Sequence, residues 1–124
     1  MINKKFIKDL KGNYEKREGE RRQIISLSNI ILYDSKRVIF SLHRKNVKQA
    51  EEMLDNAEKA LANLEKKFGF ERISEEGAYK AACEEYVEAK MFNFYIKGKE
   101  VGKIDGLKLN MESVLGGLCD FTGE

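Results

Sequence analysis

Apolar residues fall into four stripes with helical spacing along the chain. From Ile24, the positions Ile24, Leu27, Ile31, Val38 and Leu42 recur at three-, four- and seven-residue steps, the periodicity of a core-facing helix. Its start is open: Phe6, Leu10 and Tyr14 continue the spacing upstream, whereas Gly12 and Gly19 each weaken it by about 1 kcal/mol relative to Ala. The first 20 residues are therefore expected to fray. Asn46 is placed to cap a second helix, in which Val47, Ala50, Leu54, Ala57, Leu61 and Leu64 form the buried stripe and Gly69 marks the end. Ser74, followed by Glu76 and Gly77, opens a third helix that passes through the small Ala81, Ala82 and Ala89 to a stop at Gly98. Three glycines in residues 98–110 break any period and predict the longest connection of the chain. Asn110 then caps a fourth helix, with an apolar face of Met111, Val114, Leu115, Leu118 and Phe121, running to Glu124. A helix that reaches the last residue without a terminator predicts a chain shortened at its C-terminus from a longer form.

The pattern predicts an all-α fold: an antiparallel bundle of about four helices with a long first helix, in a single domain over residues 1–124. The absence of Pro and Trp, with 35% charged residues, suits amphipathic helices better than sheets. Cys83 and Cys119 match neither a disulfide framework nor a paired zinc site, so a reducing cytoplasm is expected, with both thiols filling small buried positions. Tyr86 and Tyr95 are expected to pack in the core. Lysines interrupt the apolar residues of the N-terminus, which excludes a signal-peptide core, and no apolar run approaches the roughly 20 residues of a membrane span. Charge is divided unevenly. Residues 1–48 hold 13 Lys and Arg against five acids, a formal +8, and the remainder carries −6. That asymmetry fits two surfaces with different partners, or ordinary solvated helix faces.

Two acid pairs carry the candidate chemistry. Glu85 and Glu88, three apart, emerge one turn apart on one face of the third helix. Asp120 and Glu124, four apart, do the same on the fourth, with Gly117 one turn earlier allowing another helix to approach. If the pairs face each other, repulsion among four carboxylates is relieved by protons or a divalent cation. Mg²⁺ or Mn²⁺, which take oxygen ligands, suit such a site. Spacing alone is a weak signal, because acid pairs of this kind are common on solvated helices.

The segments SKRVIFSLHR (35–44), EEYVEAKMFNFYIK (84–97) and ESVLGGLCDFTGE (112–124) resemble the translin superfamily. The resemblance is closer to its nuclease branch, translin-associated factor X (TRAX). That branch shows a serine-lysine-arginine run leading to leucine-histidine-arginine, then glutamine-glutamate-tyrosine-valine-glutamate-alanine, then aspartate-leucine-threonine-glycine-glutamate. The same order holds over about residues 20–124, with Glu84 in place of the glutamine and Phe121 in place of the leucine. Family members also continue into further helices. The resemblance implies a translin-like helical protein that hydrolyses single-stranded RNA with Mg²⁺ or Mn²⁺, its catalytic acids Glu85, Glu88 and Asp120, and Glu124 a fourth metal ligand. It also implies a homo-oligomer, a dimer or larger. Translin itself, the noncatalytic partner, lacks these acids.

Lys36, Phe40 and His43 share one face of the first helix, so that a cation, an aromatic ring and an imidazole could hold a phosphate and stack a base. The alternative puts Phe40 in the core and the other two in solvent. Lys36, Arg37, His43 and Arg44 are the candidate nucleic-acid contacts. The competing functions are a non-catalytic scaffold binding RNA or single-stranded DNA, and an interaction protein without nucleic-acid affinity.

Overall fold

A computed structural model describes residues 1–124, and its regular structure is helical throughout. Helix α1, Lys4–His43, is 40 residues long, on the order of 60 Å. Asn3 caps it by accepting a hydrogen bond from the Phe6 amide at 3.1 Å. The expected fraying therefore gives way to a continuous helix through Gly12 and Gly19. The physical reason lies in the seam that α1 presents to the bundle. Ile24, Ser28, Ile31, Ser35, Val38 and Leu42 are all buried and alternate four- and three-residue steps, a heptad phase that keeps one face on its neighbours. Leu27 lies off this seam and is exposed, contrary to the stripe expected for it. Arg21 and Arg17 extend the seam upstream and pair with Glu76 at 3.2 Å and Glu75 at 2.5 Å.

Arg44–Asn46 reverses the chain, with Lys45 in the left-handed region at φ 61°. Helix α2, Val47–Phe68, follows its Asn46 cap and buries Ala50, Leu54, Ala57, Leu61 and Leu64 as expected. Gly69, at φ 87°, then turns the chain into the single turn α3, Phe70–Ile73, which the periodicity does not reveal. Ser74 closes α3 rather than opening the next helix, and α4, Gly77–Ile96, begins after Glu76. The Glu76 carboxylate is engaged by Arg72 at 2.9 Å, which fixes the corner electrostatically instead of by an N-terminal side-chain cap.

Helix α4 packs between α1 and α5 and also meets α2. It is consequently buried on several sides, with Tyr79, Ala82, Tyr86, Val87, Ala89 and Phe92 all in the core, and shows little amphipathic contrast. The connection 97–110 carries no helix, and Ile104, with Val101, Leu107 and Leu109, anchors it on the core. Asn110 caps α5, Met111–Thr122, by accepting from the Ser113 amide at 2.7 Å. α5 stops at Thr122, short of the last residue. Its expected apolar face is covered only at Val114 and Phe121, while Met111, Leu115 and Leu118 remain exposed, because α5 seats on α4 through Ser113 and Gly117.

Tyr86 and Cys83 are buried as expected, but Cys119 is exposed and Tyr95 projects from the last turn of α4 with 64% of its surface open. Both corrections follow from position: α5 and the end of α4 have neighbours on one side only. No helix is long and apolar enough to cross a membrane.

Candidate metal and nucleic-acid site

Three acids, Glu84, Glu85 and Glu88, occupy one arc of α4 because their spacings of one, three and four residues bring them within a turn of each other. What brings α5 to this arc is the pair Gly116–Gly117. A Cβ built on Gly117 would lie 2.5 Å from Val87 Cβ and 2.7 Å from the Glu84 carbonyl oxygen, and one on Gly116 would lie 2.6 Å from the Glu84 carboxyl carbon. The helices therefore touch where neither glycine has a side chain, as the position of Gly117 predicts. Asp120 and Glu124 follow within two turns, so their charges reach the α4 acids.

The result is a cavity of about 410 Å³ lined by Lys36, Ile39, Phe40 and His43 of α1, Glu85 and Glu88 of α4, and Glu124 beyond α5. His43 Nε2 lies 2.7 Å from Glu124 Oε1, which ties the C-terminus to α1. Its ring sets an edge against Phe92 at 4.7 Å. Glu88 is only 6% exposed. Burial first, then the charges of Glu85, Glu124 and Asp120 and a hydrogen bond with Glu124, push its carboxyl up to about 7. Burial also raises Glu85; Lys36 pulls it back, while Asp120, Glu124 and Glu84 push it further up. Glu84 is raised by burial and by a hydrogen bond shared with Asp120. Each of these shifts has the sign of an anionic site that is short of positive charge.

Among the expected site residues, Glu85, Glu88, Glu124, Lys36 and His43 line this one cavity. Asp120 is exposed and meets the cluster from the side of Glu84. Arg37 on α1 and Arg44 just after it are exposed but lie outside the cavity wall. Phe40 is 65% exposed at the rim, which removes the reading that places it in the core. Glu84 joins the cluster although neither acid pair includes it; its position four residues before Glu88 is itself a same-face signal. Phe92 and Phe121 also belong to the site, through a relation to His43 that depends on three helices at once.

The donor set fits a hard divalent cation: every anionic ligand is a carboxylate oxygen, and one is nearly enclosed. The side chains stand open, however, and no three His, Cys, Asp or Glu groups converge closely enough to ligate one ion as they are placed. A two-residue grip or a modest rotation of exposed Asp120 and Glu124 is what the arrangement permits.

Fold and site define an all-helical protein with a carboxylate-lined cavity at the junction of three helices. The model of the translin family matches residues 19–124, and the chain belongs to the translin family. A search of curated proteins gives no match. Among solved structures, a chain in the crystal structure of apo-NeC3PO superimposes with a TM-score of 0.80 at 23% identity, over 99% of this chain and 64% of that chain. That likeness is one of fold. The present chain thus spans 64% of the length of that relative.

Proposed function

We propose that the protein is a metal-dependent endoribonuclease of the TRAX-like branch, hydrolysing phosphodiester bonds of single-stranded RNA as a homo-oligomer in a reducing cytoplasm. The observation that carries the reading is the near-complete enclosure of Glu88 among Glu85, Glu124 and Asp120, an arrangement that costs stability unless a cation or a proton compensates it. Membership of the translin family supports a nucleic-acid ligand, and the unpaired thiols support the compartment.

Glu85, Glu88, Asp120 and Glu124 would hold Mg²⁺ or Mn²⁺. When bound, such an ion supplies activation of water and neutralisation of charge on the phosphate. Lys36 orients a backbone phosphate at the cavity mouth and offsets the acids electrostatically, as its effect on Glu85 indicates. His43 holds the Glu124 carboxylate at the site through the 2.7 Å contact. Ile39, buried in the cavity wall, limits water on the α1 side.

A second reading, a scaffold that binds RNA or single-stranded DNA without cutting it, is favoured by the open placement of the acids. Labelled single-stranded RNA incubated with Mg²⁺, Mn²⁺ or EDTA separates the two: cleavage abolished by EDTA is expected, and binding without cleavage in every ion would leave the scaffold. Isothermal titration with Mn²⁺ is expected to give heat with wild type and at least tenfold weaker binding with Glu88→Ala. Equal heats would remove the metal site.

A further inference from the structure

A second cleft, of about 360 Å³, opens beside the acidic cavity and is lined by Phe92, Tyr95, Phe121, Thr122 and Glu124. Glu124 belongs to both walls. The two spaces are further joined by an unbroken chain of contacts. His43 binds Glu124 through Nε2 and presents its ring edge to Phe92. Phe92 lies 6.4 Å from Phe121, and Phe121 lies 6.2 Å from Tyr95 in an edge-on arrangement. Phe92 is the buried floor, Phe121 a half-buried wall, and Tyr95 an open rim.

We propose that this aromatic cleft is a nucleobase subsite, which stacks the base next to the phosphodiester held at the acidic cavity. The inference rests on the single-stranded RNA reading and adds to it the place where the neighbouring base goes. The chemistry of the cleft selects such a group. It has three aromatic rings, no cation, and a single carboxylate at the boundary, so a phosphate is repelled while a neutral planar ring gains contact area. Thr122 donates its hydroxyl to the Cys119 carbonyl at 2.6 Å, which leaves the Tyr95 hydroxyl as the free donor at the rim. Phe40, on the α1 wall of the acidic cavity, is exposed too. A strand held at the acids therefore finds exposed aromatic surface both at Phe40 and in the cleft, and stacking on aromatic rings tolerates any sequence.

The test uses short single-stranded RNAs carrying 2-aminopurine at each position in turn, with matching abasic versions, and Ca²⁺ in place of Mg²⁺ or Mn²⁺. Fluorescence is expected to be quenched strongly at a register adjoining the held phosphate. Tyr95→Ala and Phe121→Leu are expected to remove that quench and weaken the intact RNA about tenfold. RNA abasic at that register should bind wild type and variants alike. If RNA binds but no register is quenched, or the variants hold intact RNA as tightly as wild type, the subsite is wrong and the RNA reading stands. If Tyr95→Ala instead shrinks the assembly with RNA affinity unchanged, a second copy fills the cleft and the subsite is wrong. If none of the RNAs binds, the functional reading falls and takes the subsite with it.

Discussion

Glu88 shows how one side chain couples stability to ligand. Its carboxyl has an ordinary value of 4.5 and is raised to about 7 in the fold, chiefly by burial. The folded protein thus holds this proton more tightly than the unfolded chain. The stabilisation is full below pH 4.5 and is lost as pH rises through 7, on the order of 3 kcal/mol, at about 1.4 kcal/mol per pH unit. Glu88→Gln keeps the group neutral. Thermal melts should show the variant equal to wild type near pH 4.5 and more stable above pH 7.5, by on the order of 5–10 °C. A difference that does not change with pH would contradict the assignment. Mn²⁺ should raise the melting point of wild type and not of the variant, since a ligand stabilises only the state that binds it. The identity of Glu88 as a candidate was readable from its spacing with Glu85; its enclosure was not, because burial depends on α5.

At the scale of elements, the contact between α4 and α5 is set by two residues without side chains. Gly117→Ala would press a methyl group onto Val87 and onto the Glu84 carbonyl oxygen, and backbone cannot swing aside. Overpacking of this kind costs about 1–3 kcal/mol, more than the roughly 1 kcal/mol that Ala gains over Gly in a helix. The variant should melt several degrees lower and lose the heat of Mn²⁺ binding, as Asp120 and Glu124 are displaced. Gly12→Ala is the control: nothing lies within 4 Å of a Cβ there, so it should stabilise or be neutral. Were Gly117→Ala as benign as Gly12→Ala, the close approach would not exist. The presence of α1, α2, α4 and α5 and of the 97–110 connection could be read from period, Asn caps and glycine spacing, but not the continuity of α1 through residues 4–20, the start of α4 or the end of α5. The turn α3 could not, since one turn is too short to show a period, and Ser74 carries the same cap signal whether it ends a turn or starts a helix.

For the whole molecule, the uneven charge becomes spatial once the chain is folded. α1 carries most of the basic excess, and the acid arc of α4 opens beneath its C-terminal half. Of the basic candidates, Lys36 lines the cavity and Arg44 does not. Lys36→Glu is therefore expected to weaken RNA binding about equally across sequences and to lower the slope of log affinity against log salt by about one. Arg44→Glu should act less. An unchanged slope in Lys36→Glu would remove that lysine from the phosphate path. Residues 4–17 of α1 are exposed along their whole length, because α2 and α4 are about half as long and cannot reach them.

Local order along the chain settled the helical class, the presence of four helices, that none of them is long and apolar enough to cross a membrane, and the list of acids worth attention, because periodicity, capping and glycine punctuation act over a few residues. Folding in three dimensions decided the rest. Which acids share a cavity, that Glu84 joins them, that Arg37 and Arg44 stand aside, that Tyr95 and Cys119 face solvent, and that His43 links Glu124 to an aromatic chain all depend on how α1, α4 and α5 meet. A stripe specifies that a face is covered, but not by what, and chemistry between side chains on different helices is set by that second fact.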